Sequence, residues 1–78
     1  MTETPAYPGY ATPVFVERDN FWLVKAMPWE KNLGAVWDNS KRGGWTAYDT
    51  RGAYVGLFPD KQAAGEALIR HAGYEVLG

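Results

Sequence analysis

Nucleophilic catalysis needs an activated nucleophile, a base and usually a group that orients the base. This chain offers one histidine, His71, and one serine, Ser40, and no motif couples them. His71 falls where a cation favours a helix C-terminus, which accounts for it without chemistry. Carboxylates are the other acid–base candidates, yet Asp19, Asp49 and Asp60 occupy turn or cap positions and Asp38 precedes a loop. There is no cysteine, so disulfides, thiolate metal sites and cysteine nucleophiles are excluded. A lone histidine without clustered carboxylates is also a poor metal site. Gly43-Gly44 leads into a strand pattern and not a helix N-terminus, so it does not match a phosphate-cradling loop. No enzyme, no cofactor and no metal are expected. What remains is recognition by rings and guanidinium groups: Trp29, Trp37, Tyr48, Tyr54, Phe58, Arg42 and Arg51.

The elements that must position these groups centre on Trp45 to Ala72. Asp49-Thr50-Arg51-Gly52 places a side-chain acceptor at the start of a turn and a glycine where positive φ is needed. A turn of that kind with a bulge joins strands at about residues 45–49 and 53–58. Alternation puts Trp45, Ala47, Ala53, Val55 and Leu57 on one face and Thr46, Tyr48, Tyr54, Gly56 and Phe58 on the other. Pro59 ends the second strand and Asp60 is placed to cap a helix. Ala64, Ala67, Leu68 and His71 then fall at i, i+3, i+4 and i+7, and Gly73 is a stop. Gly65 costs that helix about 1 kcal/mol relative to Ala, which suggests a strand approaching closely.

Upstream, residues 1–13 carry Pro5, Pro8 and Pro13 and read as an extended or disordered tail. Residues 14–78 form a single small domain. Val14 to Glu17 and Phe21 to Ala26 are β-rich and flank a turn at Arg18-Asp19-Asn20. Met27 to Asn32 reads as a loop or single helical turn, Leu33 to Asp38 as a strand, and Asn39 to Gly44 as a polar, glycine-rich loop. Tyr74 to Leu77 is a short apolar piece suited to an edge strand. The expected class is α+β: an antiparallel sheet of 3–5 short strands with one C-terminal helix packed on one face.

A chain of 78 residues hides only about 60% of its extended surface on folding, so its core is thin. Four Trp, five Tyr and three Phe are more than such a core encloses, leaving some rings at the surface. Net charge is −1, which gives no global attraction to phosphates. No apolar run reaches the roughly 18 residues of a membrane span, and the N-terminus lacks the basic start and apolar block of a signal peptide. The expected compartment is the cytoplasm.

With the helix on one sheet face, the expectation is that Tyr48, Tyr54 and Phe58 look outward with Trp37 or Trp29 near and Arg42 and Arg51 at the rim. Exposed aromatic patches flanked by Arg mark interaction sites. The leading expectation is therefore a non-enzymatic module that binds another protein or a second copy of itself. Its composition, rich in Ala, Gly and Trp, resembles accessory proteins of GC-rich bacteria and their phages, which implies a phage- or bacterium-encoded modulator of a host protein. The intramolecular alternative is that the N-terminal hairpin covers the second face. The nucleic-acid alternative rests on Trp45-x-x-Tyr48-Asp49-x-x-Gly52-x-x-Val55-x-x-Phe58-x-x-x-x-x-Ala64. That pattern resembles the arm-binding domains of phage-type integrases over about half the chain. The resemblance implies a three-stranded sheet in the major groove, with Lys41, Arg42 and Arg51 on phosphates at one end. The strands here carry Trp, Tyr, Thr and Ala where those sheets carry Lys and Arg.

Overall fold

A computed structural model describes residues 9–76, so the prolines at positions 5 and 8 and Leu77 lie outside the described residues. The chain runs β1 (Tyr10–Glu17), β2 (Trp22–Met27), β3 (Lys31–Asn39), a single 3-10 turn (Ser40–Arg42), β4 (Gly44–Asp49), β5 (Tyr54–Phe58), α1 (Lys61–His71) and β6 (Glu75–Val76). The six strands form one sheet in the order β5-β4-β3-β2-β1-β6. Neighbours from β1 to β5 are antiparallel, whereas β6 lies parallel to β1. The fold is thus α+β as expected, but the sheet is larger than 3–5 strands and mixed, not purely antiparallel.

Local sequence chemistry accounts for the connections. Gly52, at φ 82°, donates its amide to the Asp49 carbonyl at 2.9 Å, and Asp49 Oδ1 accepts the amides of Arg51 and Ala53. A short side-chain acceptor followed by a left-handed glycine closes this turn as its sequence implies. Asp60 Oδ1 takes the Ala63 amide at 2.7 Å, capping α1. The Arg18-Asp19-Asn20 turn closes with Arg18 N–H donating to the Phe21 carbonyl.

The N-terminal strand begins at Tyr10, four residues ahead of the expected start at Val14, and absorbs Pro13. Strand β6 pairs only Tyr10 and Ala11, so one side of β1 has no ladder to complete at Pro13. Trp29 lies in the β2–β3 turn, where the Met27–Pro28 peptide is cis, and its Nε1 donates to the Tyr10 carbonyl at 2.8 Å.

Helix α1 covers one sheet face and buries Ala64, Gly65, Leu68 and Ile69. The buried stripe is rotated from the expected Ala64–Ala67–Leu68–His71 pattern, because Ile69 brings more apolar surface than Ala67 and His71 reaches to the sheet instead. The core joins these residues to Ala11, Val24, Ala26, Leu33, Val36, Ala47 and Tyr74, with Phe15, Trp22, Trp45, Val55 and Phe58 packed around them. At the helix N-terminus the Lys61 ammonium sits over the Phe15 and Trp22 rings, 5.0 and 4.9 Å from their centroids.

Two bulges bend the sheet. Leu33 is an extra residue on β3 opposite Val24 and Lys25, and Val55 is an extra residue on β5 opposite Ala47 and Tyr48. The second bulge overturns the expected faces of β5. With Trp45 opposite Phe58 and Thr46 opposite Leu57, Phe58 joins Trp45 on the helix side and Leu57 faces outward. Phe58 is thereby a core residue and not part of the outer face.

An aromatic cleft on the uncovered sheet face

Cross-strand partners point to the same side of a sheet, so the register defines the face opposite α1. One row across it is Val16, Leu23, Ala35, Tyr48 and Tyr54; the next is Trp37, Thr46 and Leu57, with Phe21 beside Trp37. The N-terminal hairpin extends the sheet edgewise, and no described element packs across this face. Intramolecular cover by that hairpin is excluded by the strand order. Lys25 and, opposite Tyr10 at the β6 edge, Glu75 are the charged side chains on the described strands of this face.

Four rings form a continuous ladder on it. Phe21 stacks on Trp37 with centroids 4.7 Å apart and an interplanar angle of 27°. Trp37 meets Tyr48 edge-on at 5.3 Å, and Tyr48 meets Tyr54 edge-on at 5.9 Å. These separations lie within the range for favourable aromatic pairs, so each ring holds its neighbour in place. Tyr54, at the free edge of the sheet, is 62% exposed. Leu57 beside it is also exposed.

A cleft of about 840 Å³ runs along β3 beside these rings. Gly34 and Ala35 form its floor, Leu23, Trp37 and Tyr48 its walls, and Asn32 and Asn39 lie at its two ends. The small floor residues between large neighbours create the hollow. Asn39 Nδ2 donates to the buried Thr46 Oγ1 at 2.9 Å, fixing the cleft wall at that end. A smaller recess lined by Arg42, Tyr48, Tyr54 and Leu57 adjoins it and shares Asn39 and Thr46.

Two carboxylates lie at the cleft margin and both are engaged. Asp38 Oδ1 accepts the Ser40 amide at 3.1 Å. Asp49 Oδ2 lies 3.2 Å from His71 Nε2 on α1, tying the hairpin turn to the last turn of the helix. The Ala53 amide, joined by the Arg51 amide and by His71, holds the Asp49 carboxyl below its ordinary pKa against a smaller opposing effect of desolvation. Among the described residues no group of three or more His, Cys, Asp or Glu could hold a metal ion. No helix among them is long and apolar enough to cross a membrane.

Of the sequence-derived binding residues, the fold brings together Trp37, Tyr48, Tyr54 and Arg42. Trp29 is half-exposed but tied to β1 at the far side of the sheet, away from the ring ladder. Arg51 lies at the opposite end of β4 from Lys41 and Arg42. Five residue steps separate the ends of β4, about 17 Å at a strand's rise. The three cations therefore do not share one end of the sheet, as the nucleic-acid arrangement requires. Phe21, Leu23, Ala35 and Leu57 belong to the face and were not singled out by sequence; their signal lies in strand register, which no local motif carries.

No protein-family model, curated protein or solved structure matches the chain.

Proposed function

We propose that this chain is a non-enzymatic interaction module of bacterial or phage origin, acting in the cytoplasm, that modulates another protein by docking on the face opposite α1. The observation that carries this reading is the unbroken ladder Phe21–Trp37–Tyr48–Tyr54 on a sheet face that no described element covers. A thin domain that leaves an organised set of rings at its surface forgoes their burial, and rigid aromatic anchors are what interfaces use most. The cleft beside the ladder supplies the concavity, and Arg42 supplies a cation at its flank.

Phosphate binding has less support, since Arg51 is remote from Lys41 and Arg42 and the face between them is apolar.

The test separates folding from docking. Tyr48→Glu and Tyr54→Glu place a charge on the outer face, and Gln62→Glu places one on the exposed side of α1. Capture of the native partner should fail for the first two and survive in the third, with Tyr54→Glu and Gln62→Glu melting close to wild type and Tyr48→Glu losing about 1–3 kcal/mol with its two ring contacts. Retained capture by both tyrosine variants would reject the face as the docking surface.

A further inference from the structure

We infer that a second copy of this chain pairs with the free edge of β5. The two strands run antiparallel about a two-fold axis perpendicular to the sheet, with Tyr54 of each copy opposite Leu57 of the other.

The two edges of the sheet are finished differently. At one, β6 is only two residues long, and β1 beyond it carries Pro13 and Glu17. A short strand, a proline and a charge are devices that blunt an edge against pairing. At the other, β5 is Tyr54-Val-Gly-Leu-Phe58, with no proline and no charge, and no described strand pairs with its outer side. Its two exposed large side chains, Tyr54 and Leu57, are apolar in bulk.

Alternation of the ladder fixes which backbone groups of β5 are open. The Asp49 amide donates to the Ala53 carbonyl, so the β4 positions bonded toward β5 are Asp49, Ala47 and Trp45. Tyr48 and Thr46 are the unbonded positions between them. Their partners, Tyr54 and Leu57, therefore turn N–H and C=O away from β4, toward the free edge.

The bulge decides what can use these four groups. Open positions on a regular strand recur at every second residue, whereas Val55 spreads them three residues apart here. A visiting strand must carry a matching insertion, and a second copy carries it by identity. Turned antiparallel, its Leu57 meets Tyr54 and its Tyr54 meets Leu57, so every open group is bonded.

The flanking charges agree with that direction. Arg51 lies three residues before Tyr54 and Asp60 three after Leu57, so antiparallel pairing sets Arg51 of each copy beside Asp60 of the other. Parallel pairing would set Arg51 against Arg51. The Arg51 guanidinium has no partner among the described residues, and the Asp60 carboxylate spends one oxygen on the Ala63 amide.

Tyr54 and Leu57 share the uncovered face, so each ring gains a leucine from the other copy as its cross-strand neighbour. The two-fold axis leaves both helices on one side and both ring ladders on the other, joined at the new strand pair. The inference stands on the edge of the sheet and not on the docking reading above.

One strand pair is a small interface, so the dimer should be weak, with Kd between about 1 μM and 1 mM. Sedimentation equilibrium of the full chain at up to about 1 mM measures it. In a mixture of isotope-labelled and unlabelled copies, filtered NOEs should join Tyr54 of one copy to Leu57 of the other. Leu57→Pro deletes an outward N–H that makes no bond to β4, and should weaken association at least about tenfold. The double variant Tyr54→Lys, Leu57→Lys leaves the backbone intact and sets like charges opposite each other, and should do the same. Arg51→Gln should weaken association by about two- to thirtyfold, as two exposed ion pairs lost together.

A chain that stays monomeric at about 1 mM overturns the inference. So does association that the double lysine variant leaves unchanged, or intermolecular NOEs confined to Trp37 and Tyr48, which would set face against face instead.

Discussion

Replacing Gly65 by Ala sets two effects of known sign against each other. In an exposed helix the change would stabilise by about 1 kcal/mol. Here Gly65 is buried against β1, and an added Cβ would stand 2.5 Å from Phe15 Cζ, 2.9 Å from Phe15 Cε1 and 3.1 Å from Pro13 Cβ. Carbon atoms in contact prefer about 3.5–4.0 Å, so the ring must retreat by about 1 Å or the helix must lift. The ring is confined by Lys61 above it and Val24 across the strand pair, and Pro13 cannot yield by rotating. Overpacking of this sort costs about 1–3 kcal/mol, leaving a net loss of about 1 kcal/mol after the propensity gain. For a domain this small that lowers Tm by about 4–8 °C. Urea and thermal unfolding of the wild type, Gly65→Ala, Phe15→Leu and the double variant measure it. Leu lacks the ring atoms that clash, so the double variant should be more stable than the sum of the single changes by the overpacking term it relieves, about 1–3 kcal/mol. If Gly65→Ala alone stabilises by the full propensity gain, the helix does not lie this close to β1 and the packing argument fails.

Three further outcomes follow from the same geometry. At Gly34, φ is 138° and an added Cβ would fall on the Tyr48 carbonyl, so Gly34→Ala should cost about 3 kcal/mol or more and unfold the chain at moderate urea. Phe58→Ala should lose about 2–3 kcal/mol whereas Leu57→Ser should stay within about 0.5 kcal/mol; the reverse order would restore unbroken alternation along β5. The folded state holds the Asp49 carboxyl below its unfolded pKa, so its contribution is complete above about pH 4 and is lost as pH falls through the lower folded value. Asp49→Asn should remove that part of the acid dependence in denaturation followed from pH 6 to 2, and an unchanged slope would contradict it.

Much of the fold was legible where the cause is local. The Asp49–Gly52 turn, the Asp60 cap, the Gly73 stop and the turn at Arg18–Asn20 are each specified by residues within a few positions of one another. Gly65 announced the close strand because it has no other use inside a helix. What stayed hidden depends on partners distant in sequence. The Val55 bulge exists only relative to Ala47 and Tyr48, and it reverses Leu57 and Phe58 with no change in the residues themselves. Pairing of β6 with β1 is likewise non-local, as is the bond from Trp29 to Tyr10. The candidate face was half visible: Trp37, Tyr48 and Tyr54 stand out by type. Leu23 joins them only through the registers of β2 with β1 and β3, and Phe21 only by stacking on Trp37.

The central claim is that the ring-bearing face is where this chain meets another protein. A photo-crosslinking amino acid at Tyr54, compared with the same group at Gln62 on the polar side of α1, tests it most directly in the cells that make the protein. The account predicts a covalent adduct to a different protein from position 54 and none from position 62. Adducts from position 62 alone, or equally from both, would contradict it.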